Sequence, residues 1–354
     1  MKHFLKTPFK LGKATLPNNI FYSPLAGCSD FPFRKMAARY QPGLMFCEMV
    51  KMEALVRFDK NTLRILDYDS SMRPIGAQLC GSNPLIAAEA ALIIEDLGFD
   101  SLDFNCGCPV DKVTKDGSGS GMLRHIDRIG EILSKMVSAV KIPVTVKIRA
   151  GWDESTIVVE DVTKIAETAG AQAIAIHGRT REQGYTGPAN WDYIKRAVAA
   201  RNSILVIGNG DVFSKEKALE MFETTGCDAV LVSRGTLGSP WIVEDIINYL
   251  SGIDSQVKGI KDRKEALLNH LDLMLSYYTD ERTVLEMRKV GCWYIKESSG
   301  TKKFRSFVSK SKTIEEIKQR RKRGVGHVEI GVFDLDAVGE EEATIQIADL
   351  PENL

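Results

Sequence analysis

The chain has 354 residues, 44% of them hydrophobic and 27% charged, which is ordinary for a globular protein and long enough for one large domain and a small one. No apolar run approaches the roughly 18 residues that a membrane span needs, and the N-terminus lacks the apolar segment of a secretory signal, so we expect a cytosolic protein without membrane contact. The seven cysteines are an odd number without paired CxxC motifs, which argues against a disulfide framework and against a structural metal site.

The net charge is zero, but the charge is segregated near the C-terminal end of the sequence. Residues 301–323 contain ten Lys or Arg and two Glu, whereas residues 324–354 contain eight Asp or Glu and no Lys or Arg. Because only the sum is neutral, a local basic surface for a polyanion is compatible with these counts. A solvated amphipathic helix beside an acidic tail is equally compatible with them.

Eight short apolar runs alternate with longer segments of helical spacing between residues 20 and 235. Continuous Val, Ile and Leu runs are typical of strands buried on both faces, and their alternation with helices indicates a parallel sheet. The eight units predict an α/β fold, a TIM (β/α)8 barrel, within a first domain at residues 1–250. The predicted strands span residues 20–23, 44–47, 75–79, 101–104, 144–148, 173–176, 204–207 and 229–232.

An open, doubly wound sheet is the alternative to the barrel. Such a sheet carries a glycine-rich GxGxxG sequence after its first strand when it binds a dinucleotide. Here Ser23-Pro24-Leu25-Ala26-Gly27 follows the first predicted strand instead, which favours the barrel.

The strand pattern ends beyond Trp241, and helical spacing replaces it. We expect a small helical domain there, followed by an acidic tail to which we assign no structure. The predicted boundaries are a linker at 251–262, helices at 263–278 and 281–296, a basic helix at 302–323, a helical domain at 263–323 and a tail at 324–354.

Polar residues collect at the carboxyl ends of the predicted strands, where TIM barrels carry their active sites. Taken singly, a polar residue at a strand end is more often a satisfied structural group than a functional one. Their coincidence around one barrel mouth predicts an active site there. They are Glu48, Gln78, Asn105, Lys147, Arg149, His177, Arg179, Asn209, Asp211 and Arg234.

Two glycine-bearing loops suit a phosphate group. Asn209-Gly210 and Arg234-Gly235 follow the last two strands, where barrels often bind phosphate. Glycine exposes backbone N–H groups, and arginine contacts an anion with two N–H donors. The sequence therefore predicts a phosphorylated ligand.

Several stretches form a recognisable set. They are Pro24-Leu25-Ala26-Gly27, Gly76-Ala77-Gln78-Leu79, Asp103-Phe104-Asn105-Cys106-Gly107-Cys108-Pro109, Val146-Lys147-Ile148-Arg149, His177-Gly178-Arg179-Thr180-Arg181, Gly208-Asn209-Gly210-Asp211, Arg234-Gly235, Gly238-Ser239-Pro240-Trp241, Met287-Arg288-Lys289 and Trp293-Tyr294-Ile295-Lys296. Together they resemble the tRNA-dihydrouridine synthases, especially the bacterial B-type branch, from about residue 10 to 310. The resemblance implies a barrel that binds FMN, NADPH as the reductant, and tRNA as the substrate and partner. The helical domain at 263–323 is expected to hold the tRNA through its basic residues, which include Arg320 to Arg323.

The resemblance also implies a role for each matching residue. Cys108 is the expected catalytic acid, and Asn105 is an expected contact to the target uracil. The charge of Lys147 suits an anionic reduced flavin, with a buried ion pair to Asp or Glu as the alternative. FMN is expected to contact Pro24, Ala26, Gln78, Lys147 and His177, with Asn209, Gly210, Asp211, Arg234 and Gly235 around its phosphate, and RNA is expected to contact Arg149, Arg179, Arg181 and Tyr185.

A cysteine is chemically suited to the acid role, because an ordinary thiol pKa of about 8.5 leaves it protonated near neutral pH. Cys106, two residues earlier, is expected to be structural. Ser233 departs from the family pattern, which usually has Gly beside the expected phosphate, so its side chain either narrows that site or adds a donor to it. The alternative functions are an FMN barrel acting on a free pyrimidine and an RNA-binding barrel without catalysis.

Overall fold

The computed structural model describes residues 3–294, 306 and 310–318. Its residues form two compact units. The first unit comprises the residues up to 235 together with 241–254, and the second comprises 236–240 together with the described residues from 255 onward. The strands of the described residues all lie in the first unit.

Eight parallel strands close into a barrel, and a two-stranded antiparallel hairpin precedes them. The predicted TIM barrel is confirmed, and most of its strands are longer at the carboxyl end than predicted. The hairpin consists of β1 (Phe9–Leu11) and β2 (Ala14–Leu16), and the barrel of β3 (Ile20–Tyr22), β4 (Leu44–Lys51), β5 (Ile75–Cys80), β6 (Ser101–Cys106), β7 (Val144–Arg149), β8 (Ala173–His177), β9 (Leu205–Asn209) and β10 (Ala229–Val232). Consecutive barrel strands are paired, and β10 pairs with β3 to complete the ring.

Helices alternate with the barrel strands. Local signals set their ends: in the helix at 215–225, the Ser214 hydroxyl accepts from Lys217 N at the start, and Gly226, with φ of 67°, ends it. The helices of this unit are α1 (Phe31–Ala38), α2 (Met52–Leu55), α3 (Lys60–Ile65), α4 (Ala87–Asp96), α5 (Asp111–Thr114), α6 (Ile126–Ala139), α7 (Val159–Thr168), α8 (Asp192–Ala200), α9 (Lys215–Thr225) and α10 (Ile242–Ser251).

The β1–β2 hairpin, which the sequence analysis did not predict, closes the amino-terminal end of the barrel. Its apolar side chains Phe9, Leu11 and Leu16 are buried in one cluster with barrel-interior residues such as Phe21 and Leu231. This end of the barrel interior is therefore apolar. It contrasts with the carboxyl end, where inward-facing positions of the strands carry polar and charged side chains.

The described residues of the second unit include the helices α11 (Ile260–Tyr277), α12 (Asp280–Tyr294) and α13 (Ile314–Lys318). Helix α11 begins inside the predicted linker. The predicted continuous helix over 302–323 is wrong at residues 311–313, which are not helical. Thr313 caps α13 there, because its hydroxyl accepts from Glu316 N at 3.1 Å.

Parts of two predictions lie outside the described residues. These are the ends of the predicted basic helix, including residues 319–323, and the acidic tail at 324–354. Among the described residues, no helix combines the length and the apolar content needed to cross a membrane.

The hairpin contact can be tested with Leu11→Ala. Leu11 is fully buried in the barrel-interior cluster, so its truncation should lower the free energy of unfolding by about 2–5 kcal/mol through lost burial and a residual cavity. Urea unfolding of the variant and the wild type measures this change. Leu85→Ala is the matched control, because Leu85 is 81% exposed. Equal effects of the two substitutions would show that the hairpin does not contribute to the core.

Candidate active site

The carboxyl ends of β5 to β9 bring five predicted residues to one barrel mouth. Gln78, Asn105, Lys147, His177 and Asn209 lie on the strands themselves, not after them. The parallel ladder continues to these positions, for example from Asn105 to Lys147 and from His177 to Asn209. Strand geometry therefore fixes their backbones.

Cys108 lies two residues beyond β6 in a loop held by side-chain hydrogen bonds. Asn105 Oδ1 accepts from Gly107 N at 3.0 Å and from Cys108 N at 2.9 Å. Cys108 O accepts from Ser120 N at 3.0 Å and from Ser120 Oγ at 2.9 Å. These bonds fix the backbone of the cysteine on both sides.

The Cys108 thiol is partly buried. Burial raises its pKa, while the Val110 N–H and the charges of Arg149, Lys147 and Lys51 act in the opposite direction. The thiol is therefore protonated at neutral pH and has a proton to give.

Cys106 lies two residues earlier and is fully buried. Burial raises the pKa of its thiol well above the usual value, with Cys80 and Asp103 adding to the effect. Its surroundings are those of a packing residue.

Arg149 joins two loops at the barrel mouth. Its guanidinium donates to Gly107 O at 3.0 Å and to Thr180 O and Gly184 O, both at 2.7 Å. The side chain is only 2% exposed. Its geometry is that of a brace between loops, and the substrate contact that the resemblance implied for Arg149 stays a prediction.

Lys147 is half-buried and forms no salt bridge with the residues that the structure describes. The alternative of a buried ion pair is therefore not what the structure shows. Burial, with help from the charge of Arg149, lowers the pKa of Lys147 to about 8. The ammonium is therefore still mostly protonated at neutral pH and adds a positive charge at this end of the barrel.

His177 is neutral at the barrel mouth. Its Nε2 lies 3.2 Å from Arg179 Nη1. A guanidinium only donates, so Nε2 accepts and the ring proton lies on Nδ1. Burial and the charges of Arg149, Lys147, Arg179 and Arg234 lower the pKa of His177 well below its usual value.

Asp211 bridges two arginines. Its carboxylate accepts from Arg179 Nη2 at 2.7 Å, from Arg234 Nη2 at 3.3 Å and from Ala189 N at 2.7 Å. A carboxylate repels a phosphate, so this geometry suits the positioning of both guanidiniums better than direct contact with an anion. Asp211 has φ of 54°, a left-handed conformation that Asp tolerates better than most residues.

Asn209 and Ser233 bond to each other. Asn209 Nδ2 donates to Leu231 O at 2.7 Å and to Ser233 Oγ at 2.9 Å, and the residue is buried. Both amide hydrogens of Asn209 are therefore used within the barrel, where they join β9 to β10. The Ser233 hydroxyl accepts from Asn209 in this structure, and the two effects on a phosphate that the sequence left open both stay predictions.

The two glycines of the predicted phosphate loops are required by their own backbone neighbourhoods. A Cβ at Gly235 would clash with the backbone oxygen of Val212. Gly210 has φ of 121°, and a Cβ there would lie 3.1 Å from His177 Cδ2. Any side chain at Gly210 would press on the histidine ring.

The loop after β3 carries Pro24 and Ala26. Ser23 N donates to Val232 O at 2.9 Å, which ties this loop to the end of β10. Ala26 is exposed, and the neighbouring Gly27 N donates to the Glu48 carboxylate. Both predicted residues thus lie on a loop anchored to the barrel mouth, and their contact with a cofactor stays a prediction.

The sequence analysis missed Arg124 and Trp152, which form a surface on the loops of the mouth together with the predicted Arg181. The guanidiniums of Arg124 and Arg181 lie 4.1 Å and 4.6 Å from the Trp152 ring centroid, and Arg181 also pairs with Asp111. Tyr185, half-exposed, has the Arg234 guanidinium 4.5 Å from its ring centroid. Arg124 lies far from the others in sequence, so no local pattern identifies this surface.

Among the described residues, no group of three or more His, Cys, Asp or Glu side chains is arranged to hold a metal ion.

Comparison with known proteins identifies the family. A model of the dihydrouridine synthase (Dus) family matches residues 21–325. The chain is 39% identical over 299 residues to tRNA-dihydrouridine synthase B of Pseudomonas aeruginosa, covering 84% of this chain and 90% of that one. It is 36% identical over 313 residues to a probable tRNA-dihydrouridine synthase 1 of Synechocystis sp., covering 88% and 87%.

The chain belongs to the dihydrouridine synthase family. The resemblance to the B-type branch and the assignment as a flavin-dependent oxidoreductase are confirmed. Among solved structures, histamine dehydrogenase from Rhizobium sp. 4-9 has a TM-score of 0.53 at 12% identity. The match covers 77% of this chain and 51% of the histamine dehydrogenase chain, so this chain spans about half the length of that protein. At 12% identity the likeness concerns the fold alone.

The neutral state of His177 predicts how the stability of this synthase depends on pH. Below about pH 6.5 an unfolded chain takes up a proton on this ring that the folded chain does not, so the unfolding free energy falls as the pH falls. His177→Gln removes that proton and should reduce the slope by about 1 kcal/mol per pH unit between pH 6 and 5.

Urea unfolding at several pH values measures this slope. His270→Gln should have the same effect independently, because burial lowers the pKa of His270 to about 3. An unchanged slope in the His177 variant would contradict the assignment.

Proposed function

We propose that this chain uses FMN and NADPH to reduce the C5–C6 double bond of uridines in tRNA. The observation that carries the proposal is the position of Cys108, whose backbone is held by Asn105 and Ser120 at a barrel mouth that also carries Lys147 and His177. The names of the relatives, which specify tRNA-dihydrouridine synthases, support tRNA as the substrate. A cytosolic location stays a prediction.

The donors at the mouth fit an anionic, ring-bearing cofactor. Lys147 offers an ammonium without a salt bridge among the described residues, and His177 offers its Nδ1–H. Arg179 and Arg234 are held in place by one shared carboxylate, so two guanidiniums face the mouth with only one negative charge between them. Because these charges repel one another, binding an anion such as the flavin phosphate relieves their repulsion.

Lys147 and His177 would hold FMN at the mouth, and the chemistry that FMN would supply there is hydride transfer to uracil C6, with NADPH as the source of the electrons. Cys108 then gives its proton to uracil C5, which balances the negative charge left by the hydride. The thiolate regains its proton from solvent, since Cys108 is only partly buried. The charges of Arg149, Lys147 and Lys51 stabilise the thiolate while it is unprotonated.

A uridine in folded tRNA is stacked, so the enzyme must take it out of the stack into the mouth. The RNA backbone must then be held outside the mouth. The surface formed by Arg124, Trp152 and Arg181 supplies exposed guanidinium and an aromatic ring, which are the groups that bind phosphates and bases. We propose that the helical unit adds further basic contacts; Arg320 to Arg323, which the sequence nominates for them, lie outside the described residues.

Replacing Cys108 by Ala should separate hydride transfer from proton transfer. The change removes the acid and leaves Lys147 and His177 in place, so reduction of the flavin by NADPH should stay close to wild type. Oxidation of the reduced enzyme by tRNA should slow by about 10² to 10⁴, the usual contribution of general acid catalysis.

Single-turnover flavin absorbance measures both steps. Cys106→Ala is the matched control and should cost far less, because Cys106 is a fully buried packing residue. Wild-type oxidation by tRNA in the Cys108 variant would assign the proton to another group. Protein that neither carries nor takes up FMN would overturn the proposal as a whole.

The role of the Arg124–Trp152 surface can be tested by tRNA binding at several salt concentrations. Arg124→Ala should weaken binding and reduce the slope of log affinity against log salt by roughly 0.7 to 0.9, the value for one phosphate contact. Trp152→Ala should weaken binding because it removes the ring over which both arginines lie. Arg196→Ala is the control, since Arg196 pairs with Glu160 away from the mouth. Equal slopes in the Arg124 variant and the control would exclude this surface from the RNA contact.

A further inference from the structure

A chain of buried hydrogen bonds runs beneath the Cys108 loop across three neighbouring strands. Thr145 Oγ1 donates to Asp103 Oδ1 at 2.6 Å, and Gln78 Nε2 donates to Asp103 Oδ2 at 2.7 Å. Asn105 Nδ2 donates to Gln78 Oε1 at 2.8 Å. Asn105 Oδ1 in turn accepts from the N–H groups of Gly107 and Cys108.

Strand register brings these groups together. Gln78 pairs with Asp103 across β5 and β6, and Asp103 pairs with Thr145 across β6 and β7. The Asp103, Asn105, Gln78 and Thr145 side chains are all buried, so no exposed water competes for their bonds. The chain is a fixed part of the barrel interior.

The bonds have only one consistent direction. Backbone N–H groups can only donate, so Asn105 must turn its oxygen toward the Cys108 loop and its nitrogen toward Gln78. Gln78 must then accept from Asn105 with its oxygen, and its nitrogen must donate to the next residue in the chain. The residue at position 103 must therefore be an acceptor. The ionised Asp103 carboxylate is an acceptor only, and it meets that requirement.

We propose that Asp103 is a positioning residue for Cys108, which fixes the orientation of two side-chain amides so that Asn105 holds the cysteine loop at the barrel mouth. This inference rests on the proposed function for its catalytic meaning. The side-chain hydrogen bonds of Asp103 go to Thr145 and Gln78, so its effect on the cysteine passes through Gln78 and Asn105.

The charge of Asp103 is retained despite its burial. Burial raises its pKa to about 6, while the hydrogen bonds from Thr145 and Gln78 and the charge of Lys147 act in the opposite direction. The charged group that acts on it is Lys147 on β7. The carboxylate is therefore ionised at neutral pH, so both of its oxygens are free to accept, one from Thr145 and one from Gln78.

Reversing the chain is the sharpest test, because the substitutions involved keep side-chain size. Asn105→Asp places a second acceptor against Gln78, whose single amide nitrogen cannot serve both carboxylates. Adding Asp103→Asn restores a donor at the far end. Gln78 can then turn over, donate to the carboxylate introduced at position 105 and accept from the amide introduced at position 103. The carboxylate at position 105 still accepts from the two loop N–H groups.

The rate of Cys108 alkylation by iodoacetamide, followed by peptide mass spectrometry at mildly alkaline pH, reports how firmly the loop is held. N105D should be alkylated several-fold faster than the wild type, and D103N/N105D should return close to the wild-type rate. Buried Cys106 gives an internal reference in the same digest. An unchanged rate in N105D, or a double variant as fast as N105D, would overturn the proposal.

A second arm tests the consequence for catalysis. Asp103→Leu removes the acceptor, and the resulting displacement of the thiol should slow flavin oxidation by tRNA, per bound flavin, by roughly 10- to 100-fold. D103N, which retains an oxygen for Gln78, should stay close to wild type. Leu11→Ala is the control for destabilisation alone and should not slow this step. Equal slowing by D103L and L11A would overturn the positioning role. If tRNA does not oxidise the reduced wild-type protein, the proposed function is contradicted, and the alkylation rates alone then decide whether Asp103 positions the cysteine loop.

Discussion

Mutual repulsion among basic groups is the constraint that organises the carboxyl end of this barrel. Four cationic side chains and one imidazole share the mouth, and their charges, added to burial, lower the pKa values of Lys147, Arg149, His177 and Arg234. Without an anion such a cluster destabilises the fold, because like charges are held close together in a partly buried site. Neighbouring groups reduce this repulsion at each basic side chain in a different way.

The contacts of each basic group determine its charge and its position. Arg149 is surrounded by three carbonyl oxygens, which hold it without adding negative charge. Asp211 contributes one carboxylate for two guanidiniums, and His177 stays neutral. What remains is a mouth with a net positive potential, a neutral N–H donor and a protonated thiol. At the amino-terminal end of the barrel, the β1–β2 hairpin packs apolar side chains against the barrel interior, and their burial stabilises the fold.

The fold was predictable because the barrel strands are continuous apolar runs, a pattern that few other architectures produce eight times in succession. The carboxyl ends of the strands could not be predicted. Asn105, His177 and Asn209 look like loop residues until the backbone pairing with the neighbouring strands is known. The hairpin escaped notice because its strands have three residues each. The break before α13 carried a local signal in Thr313 and Glu316, which the basic charge pattern obscured.

For the site, too, local sequence motifs were predictive, and contacts between residues distant in sequence were not. Residues in distinctive short stretches, such as Cys108, Lys147 and His177, could be nominated from the sequence, and the structure brings them to one mouth. Relations between distant residues could not be predicted in this way. Asp103 is one of several polar residues in its strand, and its role depends on Gln78 across the sheet. The Arg124 and Trp152 pair depends on two loops meeting in space.

The most direct test of the account is the mass of the RNA product. Purified enzyme with FMN and NADPH, incubated without oxygen with an unmodified tRNA transcript, should add the mass of two hydrogen atoms to particular uridines, as seen by mass spectrometry of nuclease fragments. The gain should depend on both NADPH and FMN. Consumption of NADPH with no mass gain in any uridine-containing fragment would contradict the claim that this barrel mouth reduces uridine in tRNA.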